Sequence, residues 1–126
     1  MDYVHSDYGF VGDLGYFFIP SIMQKESKIK KSTNDQVTLV ECGFDDDHIT
    51  VKYHKTMPYA EYKTIQANKP KEIRVIDDFG RVNLPKSHLE KLKISPYDVA
   101  VSFLLSDGTI KIRPLVVSRT FAAETE

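Results

Sequence analysis

Two stretches of this chain can be laid over each other without a gap, and that self-similarity constrains the fold more than any other feature. Setting Gly15 on Gly80, an offset of 65 residues, aligns VGDLGYFFIP with IDDFGRVNLP, so that Asp13, Gly15 and Pro20 fall on Asp78, Gly80 and Pro85. A repeat at this spacing marks a supersecondary unit used twice. In a chain of 126 residues each unit has about 60 residues, which is marginal alone and needs its partner to close a core.

Both copies read in the same order. In the second, Arg74–Asp77 reads as a strand, Asp78-Phe79-Gly80 as a turn and Arg81–Leu84 as another strand. Pro85 then opens a short helix at its first position, with Leu89 and Leu92 on its apolar face and Lys93-Ile94-Ser95-Pro96 at its end. Val99, Val101 and Phe103 alternate up to the turn Ser106-Asp107-Gly108, and Ile110 and Ile112 alternate with Lys111 and Arg113 after it, which predicts a β-hairpin. In the first copy a helical stretch from Ser21 to about Ile29 and a polar turn at residues 32–35 lead to strands Val37–Val40 and Ile49–Tyr53 around Asp45-Asp46-Asp47. His54 to Lys71 reads as a linker, in which Tyr59, Tyr62 and Ile65 either pack a short helical turn on the barrel or stack on a ligand. Leu115-Val116-Val117 is expected to add a strand, and the end of the tail to fray.

Composition excludes several classes. With 41% hydrophobic and 28% charged residues the chain is outside the disordered and collagen-like groups. A single Cys42 makes neither an internal disulfide nor a zinc framework and favours a reducing, cytoplasmic setting. The uncharged stretch Leu14–Met23 is only ten residues, is broken by Pro20, follows Asp13 and has no basic flank before it, so it reads as neither signal peptide nor membrane span. The net charge of −1 hides an imbalance: residues 1–65 hold seven Lys and no Arg against ten acids, whereas residues 66–126 hold six Lys and four Arg against eight. All the planar donors suited to phosphates and base edges therefore lie in the second half.

The segment Arg74-Val75-Ile76-Asp77-Asp78-Phe79-Gly80-Arg81-Val82-Asn83-Leu84-Pro85 resembles the AbrB/SpoVT-type swapped-hairpin family, whose first strands read R-x-[VI]-D-x-x-G-R-[VI]-x-[IL]-P. Ile94-Ser95-Pro96-Tyr97-Asp98 supplies the I-x-x-x-D segment that follows in that family. The resemblance divides the chain into a degenerate AbrB-like repeat at 1–54, a linker at 55–71, an AbrB-like repeat at 72–114 and a tail at 115–126. Tandem copies are also reminiscent of the MraZ arrangement. The fold implied is mainly β with short helices, an AbrB-like barrel of swapped hairpins in which the tandem repeat forms a pseudo-dimer. Closure within one chain is favoured over swapping between chains, and a homo-oligomer is compatible with either.

In the resembled family the arginines matching Arg74 and Arg81 belong to the DNA-contacting surface. Gly80 supplies positive φ, and Asp77 or Asp78 can bond amides in the turn, so both have structural roles. Arg81 has two readings, contact with DNA or an ion pair with Asp77 or Asp78. Lys86, Lys71 and Lys93 are the supporting basic residues; Lys91 is a nearby substitute where Leu89 and Glu90 stand in place of a paired Arg-Arg of some family members. In the first copy Tyr16 and Gly9 replace the two arginines, so that copy keeps fold residues and loses contact residues. Its compensating group is Lys25, Lys28, Lys30 and Lys31, either a solvated face or a secondary phosphate-steering patch.

Enzyme signals are poor. His5, His48, His54 and His88 are scattered, and Ser87-His88 are adjacent on a helix, where side chains diverge. Cys42, Asp45, Asp46, Asp47 and His48 match no EF-hand or zinc spacing and read as an acidic hairpin turn. No catalytic residue, metal or cofactor is expected. The expectation is a nucleoid-associated bacterial or phage transcription regulator that contacts duplex DNA mainly through phosphates and groove shape. The alternative is an antitoxin-like or other protein-interaction module of the MazE type, using the first repeat or the tail on a protein partner.

Overall fold

A computed structural model describes residues 3–115. Strands β1 (Tyr3–Phe10) and β2 (Tyr16–Phe18) precede helix α1 (Ser21–Glu26), then come β3 (Gln36–Asp45) and β4 (His48–Pro58). Helix α2 (Tyr59–Ile65) and a 3₁₀ turn (Gln66–Asn68) lead to β5 (Ile73–Ile76), β6 (Arg81–Asn83), α3 (Lys86–Lys91), β7 (Val99–Leu105) and β8 (Ile110–Pro114). The strands form one antiparallel sheet in the order β1-β7-β8-β4-β3-β5-β6-β2, and a Val11–Phe17 bridge joins its two ends into a nearly closed barrel. The architecture is mainly β with a few short helices.

The two turns of the aligned segments are built alike. Gly80 N donates to Asp77 O and Asp77 N to Arg81 O; in the first segment Gly15 N donates to Gly12 O and Gly12 N to Tyr16 O. Gly15 and Gly80 have φ of 84° and 87°, a conformation that costs a residue with a Cβ. The strands leaving these turns pair with each other: Tyr16 with Asn83, Phe17 with Val82, Phe18 with Arg81. Ile19 N donates to Gly80 O and Leu84 N to Gly15 O, each at 2.9 Å. Long-range pairing also crosses the chain, β1 against β7 and β3 against β5, and β4 meets β8 at Ile49–Val51.

Alternation decides what goes inside. Phe17, Ile19, Ile76, Val82, Ile110 and Ile112 are fully buried in the main core, with Met23 of α1 and Ile29 closing it. A satellite core of Val37, Leu39, Met57, Tyr62 and Ile73 sits under α2.

Several expectations are corrected in detail. β4 runs on to Pro58, so His54–Pro58, assigned to the linker, is strand paired with the start of β3. Of the linker residues read as a packed face, Tyr62 is buried while Tyr59 and Ile65 are exposed. β1 was not anticipated as an element. The first helix ends at Glu26, short of Ile29. Pro85 stands at the N-cap of α3, one residue before the expected first helical position. Leu115 N donates to Val99 O, so the chain continues beside β7 there; the rest of the tail, 116–126, lies outside the described residues. Among the described residues no helix is long and apolar enough to cross a membrane.

Candidate nucleic-acid interface

With Phe17 and Val82 pointing into the core, their neighbours on the β2–β6 ribbon, Tyr16, Phe18, Arg81 and Asn83, take the opposite face. Arg81 is the most chemically prominent of them. Its Nε donates to Asp77 Oδ2 at 2.8 Å, and its guanidinium lies over the rings of Tyr16 and Phe79, 5.0 and 5.1 Å from their centroids. The ion-pair reading of Arg81 is therefore realised with Asp77. The side chain is still 44% exposed, so the pair leaves much of the guanidinium facing water. Asp77 also accepts from the amides of Phe79 and Arg81 through Oδ1, which makes it the turn-forming acid of the two candidates.

The Lys30–Lys31 segment comes alongside this turn. Ser32 N donates to Asp77 O, Ser32 Oγ to Ile76 O, and Lys31 N to Gln24 Oε1, whose amide group rests against Gly80. Lys30 Nζ donates to Gln24 O. Lys30 and Lys31 thus stand on a segment beside the turn that carries Arg81. Lys25 is exposed on α1, and Lys28 turns elsewhere, over the Tyr53 ring at 5.7 Å.

Arg74 lies at the other end of β6 and is committed to the protein. Its Nε donates to Lys71 O, and Nη1 donates to Asn83 O and Oδ1. Asn83 Nδ2 in turn donates to Leu14 O, tying the first turn to β6. Arg74, Asn83 and Lys86 line a cavity of about 490 Å³ with Asp13, Leu84 and Leu89. Lys71 is exposed before β5, and Lys93 follows α3 in the left-handed region with φ of 57°. The predicted residues therefore fall into two groups: Arg81 with Lys30 and Lys31, and Arg74 with Lys71 and Lys86.

The first of the two aligned segments lacks the arginines, with other groups in their places. A Cβ on Gly9, where Arg74 has its counterpart, would lie 3.0 Å from Cε1 of Phe17, so any side chain there presses on that buried ring. Tyr16, at the position matching Arg81, is the ring on which Arg81 rests. Tyr16, Phe79, Asn83 and Gln24 were missed as site residues. The alternation of Tyr16-Phe17-Phe18 against Arg81-Val82-Asn83 carried the signal for the first and third.

The surroundings of Arg74 are electrostatically distinctive. Burial pushes the Cys42 thiol up to about 12, against the opposing effect of the Arg74 charge, so Cys42 is an inert core thiol. Burial, and then the charges of Lys91 and Arg74, hold His88 below its ordinary value. Its Nδ1 is buried without a hydrogen-bond partner among the described residues, and its ring lies 5.6 Å from that of Phe44. At the hairpin turn, Asp45 accepts from Lys111 at 2.8 Å, which lowers the one and raises the other.

No family model and no curated protein matches the chain. Among solved structures, the solution structure of PHS018 from Pyrococcus horikoshii is similar over 90% of this chain and 94% of that one, at 15% identity and a TM-score of 0.41. That likeness is below the level at which a shared fold follows from it.

Proposed function

We propose that the chain is a DNA-binding regulator of the AbrB-like type, a tandem repeat closed on itself as a pseudo-dimer. Three correspondences at the 65-residue offset support the repeat: the matched turn hydrogen bonds, the reciprocal pair Ile19–Gly80 and Leu84–Gly15, and the pairing of Phe17 with Val82, its own counterpart. The exchange of β1 onto β7 and of β5 onto β3 fits a swapped-hairpin arrangement. The observation that carries the function is the presentation of Arg81 on the outer face of the β2–β6 pair in the barrel wall, stacked on Tyr16 and Phe79, with the Lys30–Lys31 segment beside its turn. The exposed turn and outer face that carry Arg81 can lie against a groove, with lysines on the adjoining phosphates. Repression would follow from occupancy of the site. Arg74 holds the ribbon to the first turn through Asn83, a positioning role.

The test is fluorescence anisotropy of a mixed duplex pool at two salt concentrations, with Arg81→Ala beside the wild type. Salt-sensitive binding that falls about tenfold or more in the variant is expected. Equal binding by the variant overturns the assignment of the site. A pool left unbound at low salt rejects the DNA reading.

A protein-interaction module is the second reading, and one observation favours it: the turn tips carry Leu14 and Phe79, 73% and 67% exposed. Along Tyr16-Phe17-Phe18 of the first repeat, Phe17 is buried, Tyr16 half-buried and Phe18 exposed, so only part of this segment is open to a partner.

A further inference from the structure

The barrel leaves one long sheet edge open. Among the described residues β1 pairs with β7 alone along Tyr3–Phe10, and β2 reaches it only at the Val11–Phe17 bridge. Open edges are ordinarily guarded by Lys, Pro or short length. The chain follows that practice on β4, where β8 covers only Ile49–Val51 and Lys52 and Lys55 stand on the stretch beyond. β1 is eight residues long with no Lys, Arg or Pro, its one irregularity is a register shift at its start between Tyr3 and His5, and Tyr3, Val4, Tyr8 and Phe10 are all more than half exposed.

Hydrogen bonding fixes which residues face outward. Val11 N donates to Asp98 O and Val11 O accepts from Tyr97 N, so Val11, and by alternation Gly9 and Asp7, turn their backbone groups toward β7. Tyr8 and Ser6 then face the open side. In agreement, Tyr8 N donates to the side-chain Oδ1 of Asp7 and not to a strand.

We propose that β1 is a homodimer interface, in which a second copy of this chain adds antiparallel along the open edge with Ser6 opposite Ser6. This register uses the residues whose backbone groups point away from β7, with Tyr8 N exchanging the Asp7 carboxylate for the partner strand. It sets His5 of each copy against Asp7 of the other, a self-complementary polar pair within the regular stretch of β1 that begins at His5. Sliding the centre to Asp7 would place two carboxylates together. Centring on His5 would oppose two imidazoles and set Tyr3 against Asp7. The contact is isologous and closes as a two-fold dimer. It does not depend on the DNA reading.

The test is sedimentation of the full chain across concentration, with circular dichroism on each variant. A dimer that dissociates on dilution is expected. Ser6→Pro removes an outward N–H at an edge position where proline is tolerated, and should raise the dissociation constant at least about tenfold with the spectrum unchanged. Asp7→Lys should weaken the dimer, and adding His5→Asp to it should restore association. That rescue decides the matter if Ser6→Pro fails to fold. A chain that stays monomeric to about millimolar concentration overturns the proposal. So does a dimer indifferent to Ser6→Pro, which would place the contact elsewhere, or a charge swap without rescue. Capture of a strand from residues 116–126 or from another protein would appear as a monomer unaffected by these variants, and overturns it as well.

Discussion

At Gly80 two separate demands meet on one residue. Its φ of 87° disfavours any side chain, and a Cβ there would fall 2.4 Å from Nε2 of Gln24, whose amide is held by Ile19 O and Lys31 N. Gly80→Ala should cost about 1–3 kcal/mol in urea unfolding. Adding Gln24→Ala should recover only the steric part, because the backbone penalty remains. The neighbouring Asp77 both shapes the turn and neutralises Arg81. Asp77→Asn keeps the Oδ1 acceptor and removes the charge, so duplex binding by anisotropy should tighten while Arg81→Ala weakens it. His88 offers a third test. Its folded value lies below the ordinary 6.5, so the unfolded chain takes up the proton first and stability falls as pH drops through about 6.5. His88→Leu should flatten the urea midpoint between about pH 7.5 and 5.5. Asp45 and Asp107 are lowered, so their contribution is present above the ordinary value of 3.8 and is lost as pH falls from there through their lowered values.

Elements differ in how well they announce themselves. The short β2 and β6, with α1 and α3 after them, were legible because glycine at positive φ and proline at a helix start are chemical necessities that recur at one spacing. The β7–β8 hairpin was legible from its alternation. β1 was not, since Tyr3–Phe10 reads YVHSDYGF, with polar residues on both faces; its strand state comes from β7, nearly a hundred residues away. The extension of β4 to Pro58 was hidden for a similar reason: Met57 is buried against Tyr62 and Ile73 in a satellite core that local pattern does not reveal. The candidate site was half legible. Arg81 stood out by its motif, whereas the approach of Lys30–Lys31 rests on Ser32 bonding to Ile76 and Asp77 across the sheet. Phe17→Ala, which empties the centre of the β2–β6 pair, should cost about 3–5 kcal/mol in the same unfolding assay.

Across the whole molecule, each half completes the sheet of the other. A cut in the 66–70 connection should leave two fragments that show little structure separately and recover the native far-ultraviolet spectrum when mixed, because β1 needs β7 and β5 needs β3. The same dependence shapes how the protein comes into being on the ribosome. Ser102, whose Oγ bonds Asp7 O, follows it by 95 residues, so at typical elongation rates β1 waits roughly five to twenty seconds for its partner strand. Through that interval Tyr3, Val4, Tyr8 and Phe10 emerge unpaired on both sides, and nascent chains on neighbouring ribosomes can meet through this strand before either has closed its barrel.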